Sequence, residues 1–240
     1  MAPKFGKMYM SSKSLVKDLY VRIFANEHPE LLDLFQTQGE IKSFSRGRSL
    51  FREGEEAEGF YWILDGNCKI CKCFREEGEQ IITLVGPGDF VGLTSCLNAT
   101  PYKKGCVSLQ ESTTALFVER DHFYTYLAKH PTITLPLLRQ IELKIDRIES
   151  RAAHFMRKTI DQRLAHAILI LRDKFGLSSD NFLRLKLSPQ EFANFIGTTR
   201  TTIYRIFKSL ENDHIIEIKN KRIRLLDQPA LTDIAHISAS

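Results

Sequence analysis

The stretch Ser188-Pro189-Gln190-Glu191 constrains this chain more tightly than any other. It combines a serine that can accept from the backbone, a proline at the first helical position and a glutamate three residues after the serine, so a helix must begin here. Phe192, Phe195 and Ile196 give that helix one apolar side. Gly197 then permits a tight turn, and Thr199 can cap a second helix. The second helix places Ile203, Phe207 and Leu210 on its inner face, with Ile206 at the edge. Two helices joined in this way form a helix-turn-helix.

On the outer side of the second helix, Arg200, Tyr204 and Lys208 lie along one i, i+4 row, and Thr201 and Arg205 lie along the next. Long cations and hydroxyls near a helix N-terminus suit a DNA major groove, where the planar guanidinium of arginine can donate twice to guanine O6 and N7. Lys208 is better suited to phosphate. A solvated helix face would hold similar residues, but it would not need the turn geometry or the local charge excess. Ile216, Ile218, Ile223 and Leu225 alternate around Lys219-Asn220-Lys221-Arg222, which predicts a β-hairpin wing with a basic tip. Its candidates for phosphate contact are Lys219 and Lys221.

Charge divides in the same place. Residues 1–150 hold 19 Lys and Arg against 20 Asp and Glu, net −1, whereas residues 151–240 hold 15 against 9, net +6. An excess confined to one module is what a polyanion-binding unit requires.

Upstream, the texture differs. Apolar residues between Ser14 and Phe35 predict two short helices broken at His28-Pro29, and the glycine-punctuated stretch from Ile41 to Val118 predicts an all-β sandwich or barrel. Leu138, Ile141, Ile145, Ile148, Ala152 and Phe155 then follow at steps of 3, 4, 3, 4 and 3. A repeat of this period predicts a helix that pairs with its own copy in a parallel homodimer, the alternative being a helix lying on its own β domain. Thr159 with Gln162 forms a capping box, which puts a boundary near residue 157. The expected class is α+β, with domains at 1–120, 121–157 and 158–240.

The segments Phe44 to Gly66 and Gly86 to Gly92, the pairing helix and the winged motif together resemble the cyclic-AMP receptor protein and fumarate-nitrate regulator (Crp/Fnr) family of bacterial transcription factors, over residues 15 to 226. The resemblance implies an N-terminal cyclic-nucleotide-binding-like double-stranded β-roll, a long dimerisation helix and a C-terminal winged helix-turn-helix on double-stranded DNA. It leaves RNA polymerase open as a further partner. In cyclic-AMP-binding members a Gly-Glu pair holds the ribose and an Arg-Ser pair holds the phosphate. Here Gly92 matches, Leu93 replaces the glutamate, and Lys103 and Lys104 stand where Arg and Ser are expected. The bidentate fork and the ribose acceptor are thereby lost. The pocket candidates are Gly92, Leu93, Thr94, Lys103 and Lys104, with Ile148 and Glu149 facing them from the pairing helix; a carboxylate there opposes a phosphate. The implied effector is a small molecule other than cyclic AMP, or none, and no cofactor is fixed. Arg200 and Arg205 match the family's base-reading arginines, while Thr201 replaces a common glutamate and shifts the expected half-site at that base pair.

Other classes lack residues. Iron–sulfur relatives carry N-terminal cysteines, whereas this chain has none before Cys68, and strand alternation turns Cys68 away from Cys71 and Cys73. His154 is a conceivable haem ligand. A redox or haem sensor, or a constitutive regulator whose roll is only a scaffold, remain the alternatives. A metal-dependent β-roll enzyme needs clustered histidines, and the seven His at 28, 122, 130, 154, 166, 214 and 236 leave residues 41–118 without one. No catalytic or metal constellation is found. No apolar run reaches the roughly 18 residues of a membrane span. The first fifteen residues carry Lys4, Lys7 and Lys13 without a continuous apolar stretch, and the cysteine count is odd, so the cytoplasm is expected.

Overall fold

The computed structural model describes residues 16–20, 29–74, 78–135, 138, 139, 142, 145 and 158–236. Residues 16–20 are helical, and α1 (Pro29–Gln38) starts at the proline where the sequence places the break. Proline belongs in that position because the first N–H of a helix has no partner to lose.

Eight strands follow: β1 (Gly39–Phe44), β2 (Ser49–Phe51), β3 (Gly59–Asp65), β4 (Cys68–Phe74), β5 (Gly78–Val85), β6 (Phe90–Val91), β7 (Gly105–Ser108) and β8 (Thr113–Glu119). A short helix, α2 (Leu93–Leu97), lies between β6 and β7. One antiparallel sheet has the order β1-β8-β3-β6 and the other the order β2-β7-β4-β5, which together make the β-roll. β1 and β8 are in register from Gly39 opposite Val118 to Phe44 opposite Thr113. From Gly59 to Leu64 every residue of β3 is buried, so this strand is covered on both faces rather than half exposed.

The chain divides into two compact units, residues 1–68 with 85–138 and residues 69–84 with 139–240. In the first, Val16, Tyr20, Phe35, Phe60, Trp62, Leu116 and Phe123 form one apolar core. Phe35 lies 4.9 Å from Trp62 and Phe60 lies 4.8 Å from Phe123, centroid to centroid, within the range of favourable ring pairs. α3 (Arg120–Lys129) closes this core through Phe123, and a 3-10 turn at Pro131–Ile133 adds Ile133. Beyond it, residues 134, 135, 138, 139, 142 and 145 are helical. Leu138 is 55% exposed and Ile145 is 50% exposed. Ile141, Ile148, Ala152 and Phe155 of the same apolar repeat lie outside the described residues.

The second unit contains α4 (Ile160–Phe175), α5 (Pro189–Ile196), α6 (Arg200–Asn212), the hairpin β9 (Ile216–Lys219) and β10 (Arg222–Leu225), and α7 (Gln228–His236). The capping box read from the sequence is formed at α4: Thr159 N donates to Gln162 Oε1 at 3.0 Å, and Gln162 N donates to Thr159 Oγ1 at 3.4 Å. Leu164, Ile168 and Leu171 turn the buried face of α4 inward, and α7 packs on that helix. Ile206 is not at an edge: it is buried as fully as Ile203, on a helix that packs against both α5 and β9.

Candidate nucleic-acid interface

The site is assembled from local backbone chemistry. At the start of α5, Ser188 N donates to Glu191 Oε2 at 2.7 Å and Glu191 N donates to Ser188 Oγ at 3.2 Å, so two donors at the helix end are satisfied reciprocally. Gly197 ends α5 with φ 70 and ψ 55, a left-handed conformation that a side chain would strain. The Phe192 and Phe207 rings meet edge to face with centroids 5.4 Å apart, which locks α5 against α6.

Thr199 caps α6 by accepting from Thr202 N at 3.2 Å, and its hydroxyl lies 2.9 Å from that of Thr202. Ile203, Ile206, Phe207 and Leu210 are buried on one side of α6. Arg200, Thr201, Tyr204, Arg205 and Lys208 are exposed on the other. Arg200 Nη2 donates to the Tyr204 hydroxyl oxygen at 3.1 Å, whereas Arg205 and Lys208 form no ion pair among the described residues.

The wing is tied to this helix where Ile218 N donates to Glu211 Oε1 at 2.8 Å. Lys219 pairs with Arg222 across β9 and β10, and the two intervening residues, Asn220 and Lys221, have φ of 52 and 60. Both are left-handed, as the tightest hairpin turn demands, and asparagine tolerates this better than lysine. Lys219 and Lys221 are exposed at the tip.

Lys186 was not among the residues singled out from the sequence, and Arg222 was read only as part of the basic tip. Lys186 and Arg222 line one shallow cleft with Lys221, Leu185 and Phe192. The Arg222 guanidinium lies 4.9 Å from the Phe182 ring centroid, a cation–π contact that ties the wing to the segment before Leu183. A signal was present: Leu183, Leu185 and Leu187 are buried and Arg184 and Lys186 exposed, an alternation visible in the residues 183–187 themselves.

In the roll, Gly92 has φ 81, and a Cβ built on it would lie 2.8 Å from the Tyr102 ring and 3.4 Å from that of Phe51. No larger residue fits there. Tyr102 stacks on Phe51 with centroids 4.0 Å apart and donates its hydroxyl hydrogen to Gly59 O at 2.7 Å. Burial raises the Tyr102 hydroxyl pKa well above its ordinary value and pushes that of Tyr61 up to about 12. Leu93 belongs to the apolar core, while Thr94, Lys103 and Lys104 are exposed. Ile148 and Glu149 lie outside the described residues. Neither Phe51 nor Tyr102 was singled out from the sequence; aromatic residues spaced that far apart give no local sign that they will meet.

The five cysteines form no disulfide. Cys68 and Cys71 are buried and Cys73 is exposed; burial pushes the Cys71 thiol up to about 12 and that of Cys96 up to about 11. Among the described residues no helix is long and apolar enough to cross a membrane.

A reading helix held over a packed core, a wing beside it and a preceding β-roll define a DNA-binding regulator of transcription. Residues 41–130 match the family model of the cyclic nucleotide-binding domain, and residues 162–234 match that of the Crp-like helix-turn-helix domain. Between them the two cover more than half of the chain. The chain is 26% identical to the CRP-like cAMP-activated global transcriptional regulator of Mycobacterium tuberculosis, covering 87% of this chain and 94% of that protein. It is 28% identical to the global nitrogen regulator of Synechococcus elongatus, over 88% of this chain and 98% of the relative. Among solved structures, the c-di-GMP responsive global regulator CLP of Xanthomonas campestris shares the fold with a TM-score of 0.71 at 16% identity, covering 82% of this chain and 99% of that one. The chain belongs to the Crp/Fnr family of transcription regulators.

Proposed function

We propose that the chain acts as a homodimer on an inverted-repeat operator, with residues 1–120 as the sensor, 121–157 as the pairing region and 158–240 as the reader. The single observation that carries this reading is the row Arg200, Thr201, Tyr204, Arg205 and Lys208, exposed along one side of a helix whose other side is fully buried. Arg200 and Arg205 read base edges, and Thr201 contributes a hydroxyl and a methyl group between them. Thr199, Lys208, Lys219 and Lys221 serve the phosphates, which set register without reading sequence. Two copies of α6 then enter successive major grooves about 34 Å apart.

Pairing is supported by Leu138 and Ile145, two apolar side chains half exposed on helical backbone one repeat apart. Selection from random duplexes with the purified full chain tests the whole reading. The expected product is a two-fold symmetric site, and recovery of no common sequence would overturn it.

Cyclic AMP is not the effector in this reading. One relative is by its name cAMP-activated and one fold neighbour c-di-GMP responsive, but here Leu93 is part of the apolar core, and lysines replace the Arg-Ser pair. A second reading, in which the roll is a scaffold with no effector, is favoured by the Tyr102 ring lying against Gly92. Thermal melting with candidate effectors separates the two, because a ligand that binds only the folded form raises the melting temperature.

A further inference from the structure

On the exposed side of α6, Arg200 and Tyr204 stand one helical turn apart and meet in two ways. Arg200 Nη2 donates to the Tyr204 hydroxyl oxygen at 3.1 Å, and the guanidinium carbon lies 5.4 Å from the centroid of the Tyr204 ring. Both distances fall within the reach of a hydrogen bond and of a cation–π contact.

Tyr204 has no part in the core. It is 49% exposed, and among the described residues Arg200 is its hydrogen-bond and ring-contact partner. The packing of α6 rests on Ile203, Ile206, Phe207 and Leu210, none of which needs it. What the ring does in this fold is hold a guanidinium.

That contact matters for base reading. An arginine free in water spreads over many rotamers, and this freedom is lost when it docks on a base. One N–H given to the Tyr204 oxygen leaves four, still enough for the two parallel bonds that guanine O6 and N7 accept. The two contacts narrow the positions open to the fork before the duplex arrives.

We propose that Tyr204 is a positioning residue for Arg200, and that discrimination at the base pair read by Arg200 depends on it. The inference rests on the proposed DNA reading and adds how one of its two arginines is prepared. A tyrosine that touched only phosphate would instead strengthen binding to every sequence alike.

The experiment uses the full chain and its selected operator, with single-base variants of that operator and a random duplex at two salt concentrations. Wild type, Arg200→Ala, Tyr204→Ala and Tyr204→Phe are compared, and circular dichroism and melting temperature report whether each exposed substitution leaves the fold intact. Arg200→Ala is expected to flatten discrimination at one base pair by roughly 5- to 100-fold. Tyr204→Ala should lower discrimination at that same base pair by about 3- to 10-fold, with the base pair read by Arg205 and the random duplex within about twofold of wild type. Tyr204→Phe, which keeps the ring and loses the acceptor, should fall between wild type and Tyr204→Ala. Unchanged discrimination in Tyr204→Ala, or an equal loss on all sequences with a shallower salt slope, overturns this inference alone. If neither wild type nor Arg200→Ala prefers any sequence, the DNA reading itself falls.

Discussion

Tyr102 stacks face to face on Phe51, 4.0 Å between centroids, and the same tyrosine ring occupies the space a side chain on Gly92 would need. One aromatic residue thus anchors β2, the Gly59 carbonyl of β3 and the glycine before α2. Tyr102→Ala should destabilise the fold by about 3 to 5 kcal/mol, and Tyr102→Phe, which leaves the Gly59 carbonyl without its donor, by about 1 kcal/mol. Urea unfolding followed by tryptophan fluorescence measures both. In the same preparation, calorimetry with cyclic AMP should give weak or no heat of binding, and a submicromolar titration would contradict the pocket proposed above.

Arg205 and Lys208 share the exposed side of α6 but are suited to different parts of the duplex. Arg205→Ala should cost about 1 to 3 kcal/mol on the operator and relax preference at one base pair. Lys208→Ala should weaken all sequences equally and reduce the dependence of affinity on salt. Competition assays across ionic strength distinguish them; an equal loss for Arg205→Ala on specific and random duplexes would remove its reading role.

Ile145 is half exposed on helical backbone, and in the sequence its apolar repeat runs on to Phe155. Placing a charge in such a seam leaves it unpaired when two helices close, so Ile145→Asp should shift the protein from dimer to monomer. Sedimentation at matched concentrations decides the matter, and an unchanged dimer would exclude this residue from the seam.

The buried thiols predict how stability depends on pH. Cys71 and Cys96 are held up to about 12 and about 11 in the fold, against 9.0 ordinarily, chiefly because burial penalises the thiolate. In alkali the unfolded chain gives up these protons while the folded chain keeps them, so the unfolded form binds fewer. The contribution is therefore complete below about pH 9 and is lost as pH rises through the folded values. Urea midpoints should fall as pH rises from about 9 to about 11, and fall less steeply in Cys96→Ala. At neutral pH an alkylating reagent should modify the exposed Cys73 before Cys68, Cys71, Cys96 or Cys106.

The parts legible in the linear chain are those whose cause is local. Ser188 with Glu191, Thr159 with Gln162, the proline starting α1 and the alternation around the wing each depend on residues three or four positions apart, because caps, turns and periodic faces are short-range hydrogen bonding and geometry. The outward row on α6 followed in part from the same periodicity, since burying Ile203, Phe207 and Leu210 leaves Thr201, Arg205 and Lys208 outside, whereas Arg200, seven residues before Phe207 on the same stripe, is exposed at the first residue of the helix. Only the tertiary structure decided that Ile206 is buried as fully as Ile203, that Lys186 shares a cleft with Lys221 and Arg222, and that Tyr102 fills the space beside Gly92 on top of Phe51. In each case the partners are distant in sequence, and which side chain fills a given space depends on how whole strands and helices close on one another, a packing outcome that no short window of residues contains.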